Sequence, residues 1–128
     1  MRISEVYSGE PAAIGMARRT TVAFLEKTLG EVPGDIAAHA QLVVSELVTN
    51  AVRHAPGQCG LHLEVVADEV AITVWDTMAG TVAAAGRDPS RIGGHGLEIV
   101  AFVCGGHEVT STRTGKQITA RLPLHTTK

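Results

Sequence analysis

The stretch Val44-Ser45-Glu46-Leu47-Val48-Thr49-Asn50-Ala51-Val52-Arg53-His54 decides how this chain is read. It has the pattern of a helix, and Glu46, Asn50 and His54 stand four residues apart on it. That spacing brings a carboxylate, an amide and an imidazole to one side. Ile36, Ala40, Val43, Leu47 and Ala51 form an apolar stripe beside them. Polar groups on the border of a buried face are desolvated at a cost, so they point to a function. A carboxylate beside an amide oxygen can orient a hydroxyl nucleophile and position a hydrated magnesium ion.

Outward from this helix, the pattern divides the chain into a helical half and a stranded half. Arg2 to Tyr7, with apolar Ile3 and Val6, predicts a short edge strand. Pro11 suits the first position of a helix and Gly30 the residue past its end, with Ile14, Ala17, Thr21, Leu25 and Leu29 at helical spacing between them. Pro33-Gly34 is a turn, Asp35 a predicted N-cap, and Pro56-Gly57 the stop after about Ala55. The period then becomes two. Leu61, Leu63 and Val65 alternate with polar residues, as do Val70, Ile72 and Val74, around a turn at Asp68-Glu69. Thr77 to Gly93 predicts a functional loop, Leu97 to Val103 a third helix closed by Gly105-Gly106, and His107 to Thr112 and Gln117 to Leu122 a second hairpin turning at Thr114-Gly115. Paired strands with helices between them predict an α+β fold. It is a two-layer α/β sandwich with a mostly antiparallel sheet and three helices on one face.

Composition bounds the function. The chain of 128 residues reads as one domain, 1–128, large enough for a real core. A net charge of −2 excludes a strongly basic nucleic-acid binder, and an aromatic content of 3% excludes a base-stacking platform. No apolar run is long enough for a membrane span, and the N-terminus lacks a signal-peptide pattern, so a cytoplasmic location is expected. Cys59 and Cys104 form no CxxC pair and read as buried thiols. The six histidines show no H-E-x-x-H pattern and no Cys/His cluster, so no protein-only metal site is expected.

Two more motifs carry chemistry. Asp76 ends the strand Val74-Trp75-Asp76. A carboxylate at the exit of a buried strand needs a donor. An adenine amino group would suit it, and so would a turn it caps. Gly93-Gly94-His95-Gly96 opens a helix, where glycines allow close approach and free amides bind phosphate. It is neither a P-loop nor a dinucleotide fingerprint.

In this order the three motifs resemble the ATP-binding domain of the GHKL superfamily, the Bergerat fold, over nearly the whole chain. Glu46 to Asn50 matches its N box, Asp76-Thr77-Met78-Ala79-Gly80 its G1 box, and Gly94-His95-Gly96-Leu97 its G2 box. Within the superfamily, Val43 to His54 is most similar to the anti-sigma-factor serine/threonine kinases. The resemblance implies ATP and Mg²⁺ as cofactors, with a sigma factor and an anti-anti-sigma (STAS-domain) protein as partners. It also implies regulation of transcription without direct nucleic-acid or membrane binding. The family commonly forms dimers, so a homodimer is compatible with it.

By that resemblance Glu46 is the general base, and Asn50 holds Mg²⁺ together with phosphate oxygens. Asp76 receives the adenine amino group. Gly94, His95, Gly96 and Leu97 form the phosphate end of the lid. His54 extends the N box, either as a phosphate contact or as a hydrogen-bonded helix end. Arg18 takes the place of a partner-holding arginine.

The chain also departs from the family. Met78 stands where the G1 box has glycine, leaving Gly80, and its sulfur can pack on adenine. Near the start of the last strand, where a threonine or serine is common, stand Lys116 and Gln117, and Gln117 is assigned to the nucleotide site. The lid is short, with Arg87 and Arg91 its cations besides His95. Two readings follow. One is an ATP-dependent serine/threonine kinase acting on an anti-anti-sigma protein, supported by Glu46 and Asn50. The other is a sigma-sequestering module with weak or absent ATP use, supported by the altered G1 box. A detached sensor kinase acting on histidine would need a phospho-acceptor domain, for which these residues leave no room.

Overall fold

The switch from helical to alternating periodicity near Gly57 separates two layers. A computed structural model describes residues 1–54, 57–77, 96–112 and 115–124, apart from the side chains of His54 and Thr112. The elements in order are β1 (Arg2–Tyr7), α1 (Ala12–Leu29), α2 (Gly34–His54), β2 (Cys59–Val66), β3 (Glu69–Asp76), α3 (Gly96–Cys104), β4 (Glu108–Thr112) and β5 (Gly115–Pro123). The strands form one sheet in the order β1-β2-β3-β5-β4, and every neighbouring pair is antiparallel. Because β5 lies between β3 and β4, those two run in the same direction. Such a pair needs a long crossover, supplied here by the segment that contains α3.

Alternation decides which face is covered. Leu61 and Leu63 of β2, Val70, Ile72 and Val74 of β3, and Ile118, Ala120 and Leu122 of β5 are all buried. They meet Ile36, Ala40, Val43, Val44, Leu47, Val48 and Ala51, the apolar side of α2. All five residues of the predicted stripe are therefore core. The helices pack on one side, with α2 touching β2, β3 and β5, α1 touching β2, and α3 touching β5. The opposite face carries polar pairs: Ser4 Oγ to His62 Nδ1 at 2.7 Å, Thr73 to Thr119 through their hydroxyls at 2.9 Å, and Arg121 Nη1 to Glu108 Oε1 at 3.0 Å. This is the usual division of an antiparallel sheet with one solvated side.

Two local expectations shift. α2 begins at Gly34, so Asp35 sits in its first turn rather than capping it. There its charge still favours the helix through the dipole. In α1 the buried face is Ala13, Ala17, Thr21, Phe24 and Leu25, while Leu29 is exposed. The predicted stripe was thus tilted, because Phe24 draws that end of the helix inward. Pro11 stands just before the helix, and Gly30 closes it at a φ of 78° with its N–H bonded to the Glu26 carbonyl at 2.8 Å. Thr21 is buried in full and donates its hydroxyl to the Ala17 carbonyl at 2.8 Å, which removes the cost of an unpaired hydroxyl. Among the described residues no helix is long and apolar enough to cross a membrane.

Candidate functional site

The site forms where the second half of α2, the exit of β3, the start of β5 and the first turn of α3 converge. Glu46 and Asn50 lie one turn apart on α2 and are half-buried, beside the fully buried Leu47 and Val48. This is the border position the four-residue spacing predicted. Gly96 opens α3 against Glu46. A Cβ at Gly96 would stand 2.7 Å from Glu46 Oε1, so only a residue without a side chain lets the carboxylate rest there. The Glu46 carboxylate therefore sits at the N-terminal turn of α3, where free backbone amides and the helix dipole favour negative charge. Residues of the first and third motifs, far apart in sequence, share one contact.

Asp76 and Lys116 form the second part. Asp76 is buried at the end of β3, opposite Lys116 in the β3–β5 register. Lys116 Nζ lies 2.9 Å from Asp76 Oδ2, and both side chains are about 5–6% exposed. An ion pair this dry holds together because each partner would be strongly destabilised without the other. Gly115 makes the approach feasible, since a Cβ there would collide with the Asp76 backbone carbonyl. Cys59 stands across from Asp76 on β2, and its thiol is pushed up, first by burial and then by the Asp76 charge. Both cysteines are free thiols.

The other expected residues are distributed as follows. Leu97 is half-buried in the first turn of α3 and packs against the core. Gln117 pairs with Trp75 in the register, so alternation turns it to the face opposite Asp76. Beside Asp76, β5 presents Lys116. Arg18 is exposed on α1, its Nη2 3.5 Å from Gln41 Oε1. His54 ends α2, with its side chain outside the described part. Met78, Gly80, Gly94 and His95 lie outside the described residues, as do Arg87 and Arg91. Among the described residues no group of three His, Cys, Asp or Glu side chains is placed to hold a metal ion.

A helix bearing Glu and Asn, a buried Asp at a strand exit and a glycine-opened helix on an antiparallel sheet define a histidine kinase-like ATPase fold. The histidine kinase-like ATPase domain family matches residues 7–122, and the chain belongs to that family. No curated protein matches the chain. Among solved structures, the RsbU and RsbW domains of Rv1364c from Mycobacterium tuberculosis align with a TM-score of 0.73 at 17% identity, over 97% of this chain and 32% of that one. The blue-light activated histidine kinase of Erythrobacter litoralis EL346 aligns at 0.60 and 22% identity, over 88% of this chain and 41% of that one. The histidine kinase AdeS of Acinetobacter baumannii aligns at 0.57 and 14% identity, over 97% and 68%. The chain spans about a third of the Mycobacterium tuberculosis structure, 32% of its length. These likenesses establish a shared fold.

Proposed function

We propose that the chain binds ATP with Mg²⁺ and acts in the cytoplasm as an anti-sigma factor that phosphorylates a serine or threonine of an anti-anti-sigma partner. The observation that carries this reading is the Glu46 carboxylate resting at the first turn of α3 beside Gly96. It puts a base next to the amides that would face a phosphate chain. The residues present fit the nucleotide: a buried acceptor at Asp76, a carboxylate and an amide one helical turn apart, and a helix start open to close approach. Mg²⁺, when bound, would neutralise charge on the phosphate oxygens, and Asn50 would hold it with them. Glu46 would accept the proton of the partner's hydroxyl as that oxygen takes the γ-phosphoryl group of ATP and ADP leaves. Positioning and charge neutralisation supply most of the rate in phosphoryl transfer, so this apparatus suffices. Arg18, exposed on α1, is assigned to the partner surface.

A second reading, a sigma-holding module with little ATP use, is favoured by the ion pair that engages Asp76 and by Met78 in the G1 position. Phosphate incorporation into a cognate partner, alongside nucleotide titration with and without Mg²⁺, separates the two. Glu46→Ala should abolish transfer, a loss of ~10²–10⁴-fold, while leaving much of the ATP affinity. Asn50→Ala should weaken both magnesium-dependent binding and turnover. A wild-type protein that holds a sigma factor yet labels no cognate partner would leave the second reading standing.

A further inference from the structure

Lys116 is the group at this site that neither the sequence motifs nor the assigned roles absorb. Its ammonium is buried, and among the described residues its side chain has one partner, Asp76. An ammonium carries three donors and no acceptor. Asp76 engages one of them, and the other protons stand in dry surroundings where an unmade hydrogen bond is costly. The lysine is also held in place. Gly115 fixes the start of β5 against the Asp76 backbone. Moving the ammonium off Asp76 would strand two buried charges. A ligand that reaches Asp76 therefore meets the pair, an acceptor beside a donor, rather than a lone carboxylate.

That pairing selects a particular base edge. A hydroxyl at this position could donate or accept, whereas an ammonium only donates. The complementary edge has an amino donor for Asp76 and, next to it, an acceptor for Lys116. In adenine the exocyclic amino group is flanked on both sides by ring nitrogens that accept. We propose that Lys116 is a specificity-determining residue that donates to the ring nitrogen beside the adenine amino group while remaining paired with Asp76. This rests on the reading that Asp76 receives a nucleotide base.

The test is calorimetric titration of the full chain with ATP, 1-deaza-ATP and 7-deaza-ATP in the presence of Mg²⁺. Each analogue keeps the amino group and lacks one flanking acceptor. One of the two should bind on the order of ten- to a hundred-fold more weakly than ATP, the scale of a lost hydrogen bond to a charged group. In Lys116→Met, with folding checked by circular dichroism, ATP should fall to the level of that analogue and the gap between them should close. The analogue series on the unaltered protein decides the matter even if the variant does not fold. Equal affinity for all three nucleotides would overturn the role of Lys116 while leaving the nucleotide site intact. Tighter ATP binding by Lys116→Met would overturn it too, by making the lysine a competitor of the base. Failure of the folded wild type to bind any of them would overturn the nucleotide reading itself.

Discussion

Gly96→Ala separates the fold from the chemistry at this site. The added methyl would stand 2.7 Å from Glu46 Oε1 and 3.8 Å from the Cβ and Cδ of Glu46. Contact of ordinary length begins near 3.4 Å, so the carboxylate oxygen must retreat by 3.4 − 2.7, about 0.7 Å, while the rest of the side chain is undisturbed. Such a retreat needs only a rotation of a flexible side chain, at a cost of about 0.5–1.5 kcal/mol. Gly96 is the first residue of α3, so alanine recovers less than the ~0.5–1 kcal/mol of a helix interior. The net change in stability should lie within about 1.5 kcal/mol. Phosphotransfer should suffer far more, because misplacing a catalytic group by ~1 Å can cost ~10²-fold in rate.

Urea unfolding gives the first quantity and phosphate incorporation the second. The double variant Glu46→Ala/Gly96→Ala completes a cycle. If the methyl acts only through Glu46, it should add nothing once the carboxylate is gone. Two results would refute the reasoning. A stability loss well above 2 kcal/mol would mean that Glu46 cannot move aside. Unchanged turnover in Gly96→Ala would mean that catalysis does not depend on the carboxylate resting at the first turn of α3.

Three further outcomes follow from the described contacts. Lys116→Met should destabilise the domain by about 3–5 kcal/mol in urea or thermal unfolding, because it leaves Asp76 buried without its cation. Ala67 holds a φ of 55° in the turn between β2 and β3, so Ala67→Gly should stabilise the hairpin by roughly 1 kcal/mol, read as a higher unfolding midpoint with an unchanged slope. Burial pushes the Cys104 thiol up to about 11 from an ordinary 9.0. The folded state therefore favours the neutral thiol. Its contribution to stability is complete below pH 9 and fades as pH rises through about 11. In Cys59→Ser protein, iodoacetamide should modify Cys104 slowly at pH 8 and faster up to about pH 11; a plateau already reached by pH 9 would contradict this.

The sheet and helices were legible because each buried one face at its own period. Ile36, Ala40, Val43, Leu47 and Ala51 are core as their spacing predicts, and both hairpins pair as their alternation predicts. Local rules failed where tertiary packing set the detail. Phe24 turns α1 so that Leu29 lies outside, and the first turn of α2 takes in Gly34 ahead of Asp35. The half-buried border at Glu46 and Asn50 could be read from a helical wheel. The contact of Glu46 with Gly96 and the pairing of Asp76 with Lys116 could not be, because each joins elements remote in sequence. Gln117 and Lys116 are neighbours on β5, and one residue of register separates the two faces.

That same register ties Asp76 and Lys116 to the core. Val74 stands opposite Ile118, Ile72 opposite Ala120 and Val70 opposite Leu122, all on the helix-covered face. A slip of β5 by one residue would bring Gln117 level with Asp76 and turn Lys116 to solvent. It would also expose three apolar side chains of β5 and take Lys116 away from the buried Asp76 carboxylate. Ile118 and Leu122 are each worth about 1.5–3 kcal/mol when buried, so these two alone strongly disfavour the slipped state. Hydrophobic packing thus fixes where the buried ammonium stands, level with Asp76 in the dry end of the sheet. Asp76 and Lys116 are positioned by the core without any ligand, so a ligand that bound them would not have to order them first.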